Sequence, residues 1–254
     1  IIQGIYNDDE AQIVFIDTPG IHKPQNKLGT LMNKKAYTMA DDVDIVLFLV
    51  DVSKGYGKGD NFILERLKEL NKPVILVMNK VDTIKKDKLL ELINQYKDLY
   101  DFTEIVPLSA LKGDNVVELI KTIKKYLNEG MKYYSDDEVT NVSRNFMLSE
   151  MVREKVLRLT KDEVPHSVTC LVEEYNEEEN SVHLRVLVIV DRDNLKKIII
   201  GKNGQMLKEI GTKARIDMEE FLGKKVFLET YVKTIDNWKD REKYLTEFGL
   251  NELE

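Results

Sequence analysis

The sequence predicts an α/β fold in its first half and an α+β fold in its second. Three observations predict this. Between Ile1 and Leu127, near-continuous apolar runs alternate with amphipathic segments, the pattern of parallel strands joined by crossover helices. Three of those runs end in short polar boxes: Asp17-Thr18-Pro19-Gly20, Asn79-Lys80-Val81-Asp82 and Ser109-Ala110-Leu111. Later, Ile200-Gly201-Lys202-Asn203-Gly204 opens a long amphipathic segment, after a predicted helix and hairpin.

Composition sets the bounds. The 254 residues suffice for one large or two modest domains, with ample core. The net charge of −7 does not advertise nucleic acid, so any such surface has to be local. The single cysteine, Cys170, excludes an internal disulfide and a multi-cysteine metal cluster, and reads as a small buried apolar residue. His166 and His183 have no partners at metal-ligand spacing and read as structural or surface residues. No apolar run approaches the roughly 20 residues of a membrane span.

In chain order, Ile1–Tyr6 and Gln12–Ile16 read as strands joined by the turn Asn7-Asp8-Asp9-Glu10. Leu28–Met39 reads as a helix and Asp44–Val52 as a strand. Phe62–Leu70 is a helix. The run Pro73–Met78, apolar on both faces, is a central parallel strand. Lys85–Tyr100 is an amphipathic helix, Glu104–Leu108 a short strand and Val116–Leu127 a closing helix. Together they predict a parallel sheet with helices on both faces.

Ligands of open α/β sheets bind just beyond the carboxyl ends of strands, which is where the three polar boxes fall. A fixed Asp82 carboxylate can accept from both N1–H and the 2-amino group of guanine. Adenine offers a lone pair at N1 and nothing at position 2. A site built for such bonds rejects an analogue lacking them by on the order of 10⁴–10⁵. Lys80 could lay its stem along the base and Asn79 could tie neighbouring loops together. Asp17 would hold Mg²⁺ through a water. Gly20 would offer its N–H to a γ-phosphate, a close approach that a Cβ would block. Ser109, Ala110 and Leu111 would bring backbone N–H groups to the guanine O6. Each box alone is also an ordinary strand exit; their order, each at a strand end, gives them specificity.

A phosphate-gripping G-x-x-x-x-G-K-[ST] loop is not found between Ile1 and Glu254. Gly55-Tyr56-Gly57-Lys58-Gly59 has the wrong spacing and no Ser or Thr after the lysine. The expectation is that the native protein extends N-terminally and that this chain opens in its second strand. Ile21, after D-x-x-G, cannot polarise water as glutamine does in Ras-type GTPases. Intrinsic turnover is therefore expected well below the roughly 1–100 s⁻¹ of kinases.

In the second half, Asn128–Val142 reads as a polar linker that docks through its tyrosines. Phe146–Leu159 is an amphipathic helix with Met147, Met151, Val152, Val156 and Leu159 on one face. Val168–Tyr175 and Val182–Val190 form a hairpin, Gln205–Phe221 a helix, Val226–Val232 a third strand and Trp238–Phe248 a terminal helix. Gly201 and Gly204 let the backbone pass close to a nucleic-acid strand, and the following helix N-terminus favours phosphate. Ile198–Ile200 with Leu207 and Ile210 would form an apolar platform for about four nucleotides. Lys196, Lys197, Lys202, Lys208, Lys213, Arg215, Lys224 and Lys225 crowd this window, opposed by Glu209, Asp217, Glu219 and Glu220, so a local positive face is expected on an acidic chain.

These motifs resemble the Era family, GTPases of bacterial ribosome assembly. The residues that carry the resemblance are Asp17-Thr-Pro-Gly-Ile-His, Asn79-Lys-Val-Asp, Ser109-Ala-Leu and Glu150-Met-Val-Arg-Glu-Lys. Asp162-Glu-Val-Pro-His-Ser, Ile200-Gly-Lys-Asn-Gly and Trp238 add to it. The resemblance implies a P-loop-NTPase-type G domain over 1–127, here without its first strand and helix. A linker over 128–143 and a type-2 KH domain over 144–254 would follow. It implies GTP or GDP with Mg²⁺ as ligands. It implies RNA held by Ile200, Gly201, Lys202, Asn203, Gly204 and Lys208. The implied partners are the 3′ region of 16S rRNA and the 30S subunit, not DNA. The implied location is the cytoplasm, with peripheral association at the inner face of the cell membrane. The rival readings are an RNA-binding module on a nucleotide-dead scaffold, and a metabolic enzyme. The metabolic reading lacks a paired catalytic acid, base and nucleophile.

Overall fold

The computed structural model describes residues 2–18, 26–136, 138–160 and 167–248. The chain divides into two compact units, the main division falling between Val139 and Thr140, with Ile2 and Asn26–Leu28 grouped with the second.

The first unit opens with strands β1 (Ile2–Asn7) and β2 (Gln12–Asp17), which pair with each other. After α1 (Lys27–Asp42), strands β3 (Val46–Asp51), β4 (Val74–Asn79) and β5 (Glu104–Pro107) form a parallel sheet with β4 in the centre. Val74, Ile75, Leu76, Val77 and Met78 are each at most 1 % exposed, so this run is apolar because both its faces are covered. Val74, Leu76 and Met78 pack with Phe48 and Val50 against Leu64, Leu67, Leu92 and Tyr96 of α2 (Lys58–Leu67) and α3 (Lys86–Leu99). Ile75 and Val77 pack on the opposite face with Ile13, Val106, Leu108 and Ile123, the last from α4 (Val116–Lys124). Each such side chain, fully buried, contributes roughly 1.5–3 kcal/mol. Helix α2 starts earlier than the sequence predicts. Gly57 is its N-cap, and the Asp60 carboxylate accepts the Gly57 N–H at 2.7 Å.

The stretch expected as a linker is tied to β1 and β2, mainly through backbone. The Gln12 amide oxygen accepts the N–H groups of Tyr133 (2.8 Å) and Tyr134 (3.0 Å), and Ile5 N–H donates to Val139 O at 3.0 Å. The Tyr134 hydroxyl bonds Gln3, whereas the Tyr133 ring is 89 % exposed.

The second unit runs α5 (Arg144–Leu159), β6 (Val168–Glu177), β7 (Ser181–Val190), α6 (Asp193–Ile200), α7 (Gln205–Leu222) and β8 (Lys225–Thr234). β6 and β7 are an antiparallel hairpin, while β8 joins β7 in parallel through the α6–α7 crossover. The core joins Leu148, Val152 and Val156 of α5 to Leu195 and Ile199 of α6 and Ile210, Ala214 and Met218 of α7. Val152 and Val156 of the predicted α5 face are fully buried and Met151 and Leu159 pack against the same core, which also takes Leu148, a residue that the sequence reading left out. Buried Lys155 is neutralised by Glu154 and Asp217. Cys170 is buried, which pushes its thiol pKa up and leaves it unreactive. His183 is exposed and stacks on Phe227 at 4.6 Å. His166 lies outside the described residues. The predicted terminal helix is a 3-10 turn, Trp238–Asp240, followed by α8 (Glu242–Glu247).

Candidate nucleotide and RNA sites

The first site is the rim formed by the carboxyl ends of β3, β4 and β5. Asp51 and Asn79 stand directly opposite each other as the last residues of neighbouring strands. Beyond Asn79 the chain turns sharply, with Lys80 in the left-handed region at φ 66° and ψ 34°. The turn closes when Thr83 N–H and Oγ1–H donate to Lys80 O, at 3.0 and 2.6 Å. Val81 N–H donates to Leu108 O at 3.2 Å, which ties the turn to the end of β5. The Asn79 side-chain oxygen accepts Ala110 N–H at 3.0 Å, a second tie between these loops.

Asp82 projects from this turn. Its side chain retains only 14 % exposure, with Lys112 Nζ at 3.9 Å. Ser109 is fully buried, donates its N–H to Asp114 O at 3.1 Å, and accepts Lys112 N–H on its hydroxyl at 3.3 Å. Leu111 is 90 % exposed. So Asn79, Lys80, Asp82, Ser109, Ala110 and Leu111 come together at one rim. Asp51 joins them, unforeseen from the sequence: its carboxylate lies 2.7 Å from Lys80 Nζ. The only signal was the polar ending Asp51-Val-Ser after an apolar run. The Lys80 bond, then the Ser53 bonds, hold the Asp51 pKa down to about 2. A depressed carboxylate contributes its stability fully above the unfolded pKa near 3.8 and loses it as pH falls toward 2.

Asp17 is the exposed last residue of β2, followed by exposed Thr18. Pro19, Gly20 and Ile21 lie outside the described residues. Among the described residues no group of three or more His, Cys, Asp or Glu could hold a metal ion. A lone carboxylate still suits Mg²⁺, which takes one or two carboxylates and fills its other positions with water and nucleotide phosphates.

The second site is the turn between α6 and α7. Gly201 sits at φ 70° and ψ 179°, and Gly204 at φ 77° and ψ 7°. The two glycines are required for different reasons. A Cβ on Gly201 would meet the Met206 Cβ at 2.6 Å, whereas one on Gly204 would meet open space and suffer only from the backbone angle. Lys202 and Asn203 are exposed between them. The N-terminus of α7 follows at once, and its first N–H groups lack intrahelical partners. Gln205, Lys208, Glu209, Thr212 and Lys213 line a depression of about 300 Å³ on α7.

One expectation at this site is corrected. Ile198–Ile200 is the last turn of helix α6, with Ile199 and Ile210 both 0 % exposed in the core. They cannot receive bases; Ile198 is 47 % exposed, and Ile200 and Leu207 are half-buried. Acidic residues pair with part of the basic crowd, as the sequence leads one to expect for Glu209 and Glu219. Lys213 pairs with Glu209, Arg215 with Glu219 and Lys224 with Glu177, while Lys197, Lys202 and Lys208 are exposed around the glycine turn.

A three-stranded parallel sheet with polar strand ends, and a helix-hairpin-helix-helix-strand unit with a glycine turn, define the class of protein. Residues 4–129 match the elongation factor Tu GTP binding domain, and residues 163–239 match the KH domain. The chain therefore pairs a GTP-binding domain with a KH domain. A crystal structure of Era in complex with MgGDPNP and nucleotides 1506–1542 of 16S ribosomal RNA is 42 % identical, with a TM-score of 0.94. The match covers 99 % of this chain and 86 % of that one. A variant of Aquifex aeolicus Era bound to GDP and AlF4⁻ is also 42 % identical, with a TM-score of 0.93 over the same shares of the two chains. The chain belongs to the Era family.

Proposed function

We propose that the protein is a GTP-binding and GTP-hydrolysing switch that binds the 3′ region of 16S rRNA and acts in 30S subunit assembly. One observation carries the reading: the 42 % identical Era that covers 99 % of this chain was solved with both MgGDPNP and a 16S fragment. In this reading Asp82 accepts from the guanine edge, Lys80 covers the base and Asn79 braces the loop through Ala110. The loop Ser109-Ala110-Leu111 offers backbone N–H groups toward the guanine O6, although those of Ser109 and Ala110 also donate to Asp114 O and to the Asn79 side chain. Asp17 holds Mg²⁺ through a water, and Thr18, Pro19, Gly20 and Ile21 form the loop that senses the γ-phosphate. When bound, Mg²⁺ neutralises phosphate charge. On the RNA side, Ile200 to Gly204 and Lys208 take the backbone of the strand, Gly201 and Gly204 by allowing close approach. The protein acts in the cytoplasm, with peripheral association at the membrane surface. Both locations rest on family resemblance.

The test is filter binding by the full-length protein to a 3′-terminal 16S fragment and to an unrelated RNA of equal length. Binding to the 16S fragment is expected to be at least about tenfold tighter, and tighter with a non-hydrolysable GTP analogue than with GDP. Equal binding to both RNAs contradicts the rRNA assignment. RNA binding indifferent to nucleotide favours a KH module on a nucleotide-dead scaffold.

A further inference from the structure

Lysine is a poor wall for a ligand unless something fixes it. Its side chain carries about 2 kcal/mol of rotamer entropy, which binding has to remove. The base-site reading asks the Lys80 stem to lie along a purine, so what holds Lys80 matters.

The structure supplies a holder on the neighbouring strand. The left-handed backbone at Lys80 turns its side chain back across the end of β3, where Asp51 Oδ2 meets Nζ at 2.7 Å. Asp51 is itself pinned: its Oδ1 accepts Ser53 N–H at 3.1 Å and Ser53 Oγ–H at 2.5 Å. The Asp51 side chain is 21 % exposed and that of Lys80 53 %, so the carboxylate is the anchor and the lysine the anchored part. The pair joins residues 29 apart in sequence, unlike the i,i+3 and i,i+4 pairs on helix surfaces such as Arg66–Glu69 and Lys213–Glu209. An exposed helical pair stabilises little. A pair that arrests a ligand-facing stem before the ligand arrives acts through preorganisation.

We infer that Asp51 is the positioning residue of the base site, holding the Lys80 ammonium so that its aliphatic stem is preset as one wall of the purine slot. The inference rests on the base-site reading above. It follows that Asp51 affects affinity for the base whatever the number of phosphates, and acts only through the ammonium of Lys80.

A double-mutant cycle on the full-length protein tests this, with fluorescent GDP and GTP as probes. Asp51→Asn keeps the acceptor for Ser53 but removes the charge. Lys80→Met keeps an apolar stem but removes the ammonium. Each single variant is expected to weaken GDP and GTP equally, by roughly fivefold. The double variant is expected to bind no more weakly than Lys80→Met alone, a non-additivity that general loss of structure would not produce. Full affinity in Asp51→Asn, or additive losses in the double variant, overturns the role of Asp51 and leaves the base site standing. If the unmodified protein does not discriminate GDP from ADP, the base-site reading itself fails, and this inference with it.

Discussion

Asp82→Asn is expected to turn a guanine site into a xanthine site. The carboxylate accepts two hydrogens from guanine, at N1 and the 2-amino group. An asparagine still accepts from N1–H, but its amide faces the 2-amino group donor to donor. Xanthine carries an oxygen at that position and restores the bond. Charge-assisted hydrogen bonds contribute about 1.5–3 kcal/mol each, so losing the one to the 2-amino group should lower GDP affinity by at least roughly 10–100-fold. Stability should hardly change, because Asp82 projects from an exposed turn and its ion-pair partner Lys112 is 3.9 Å away. Competition by XDP and GDP against a fluorescent nucleotide checks this. Unchanged GDP preference removes Asp82 from the base site.

Gly204→Asp is expected to remove RNA binding and spare nucleotide binding. The position tolerates a side chain sterically, since nothing lies within 4 Å of a Cβ built there, although φ of +77° adds strain. The new carboxylate would face phosphate oxygens at the N-terminus of α7, replacing attraction by repulsion. RNA affinity should fall by on the order of 100-fold or more. GDP affinity should stay at the unmodified value, because Gly204 belongs to the second compact unit and the nucleotide rim to the first. Gly201→Ala is the wrong variant for this purpose: its Cβ would collide with Met206, and a loss would report damage to the α6–α7 turn. A parallel fall of RNA and nucleotide affinity in Gly204→Asp contradicts the two-module reading.

The parts of this protein legible from sequence are those in which one short stretch carries its own explanation. The run Val74–Met78 announces a central strand because both faces are apolar, and its polar ending marks the rim. The two glycines mark a turn because their backbone angles suit no other residue so well. Other features resisted for physical reasons. The three isoleucines 198–200 are too short a run to tell helix from strand. Their helical nature shows only in the burial of Leu195 and Ile199, one turn apart, with Ile198 left outside. The sequence places this helix at Phe62–Leu70, yet Gly57 caps α2 because Asp60 returns to its N–H. Asp51 was invisible as a site residue because its partner is 29 residues away in sequence, and only the register of β3 on β4 brings them together.

The central claim is that the rim of β3, β4 and β5 selects a guanine base. Displacement of fluorescent GDP from the full-length protein by unlabelled GDP and ADP measures it directly. The account predicts that ADP competes more weakly than GDP by on the order of 10⁴ or more, as expected where buried polar groups would go unpaired. Displacement by ADP at concentrations similar to GDP would contradict it.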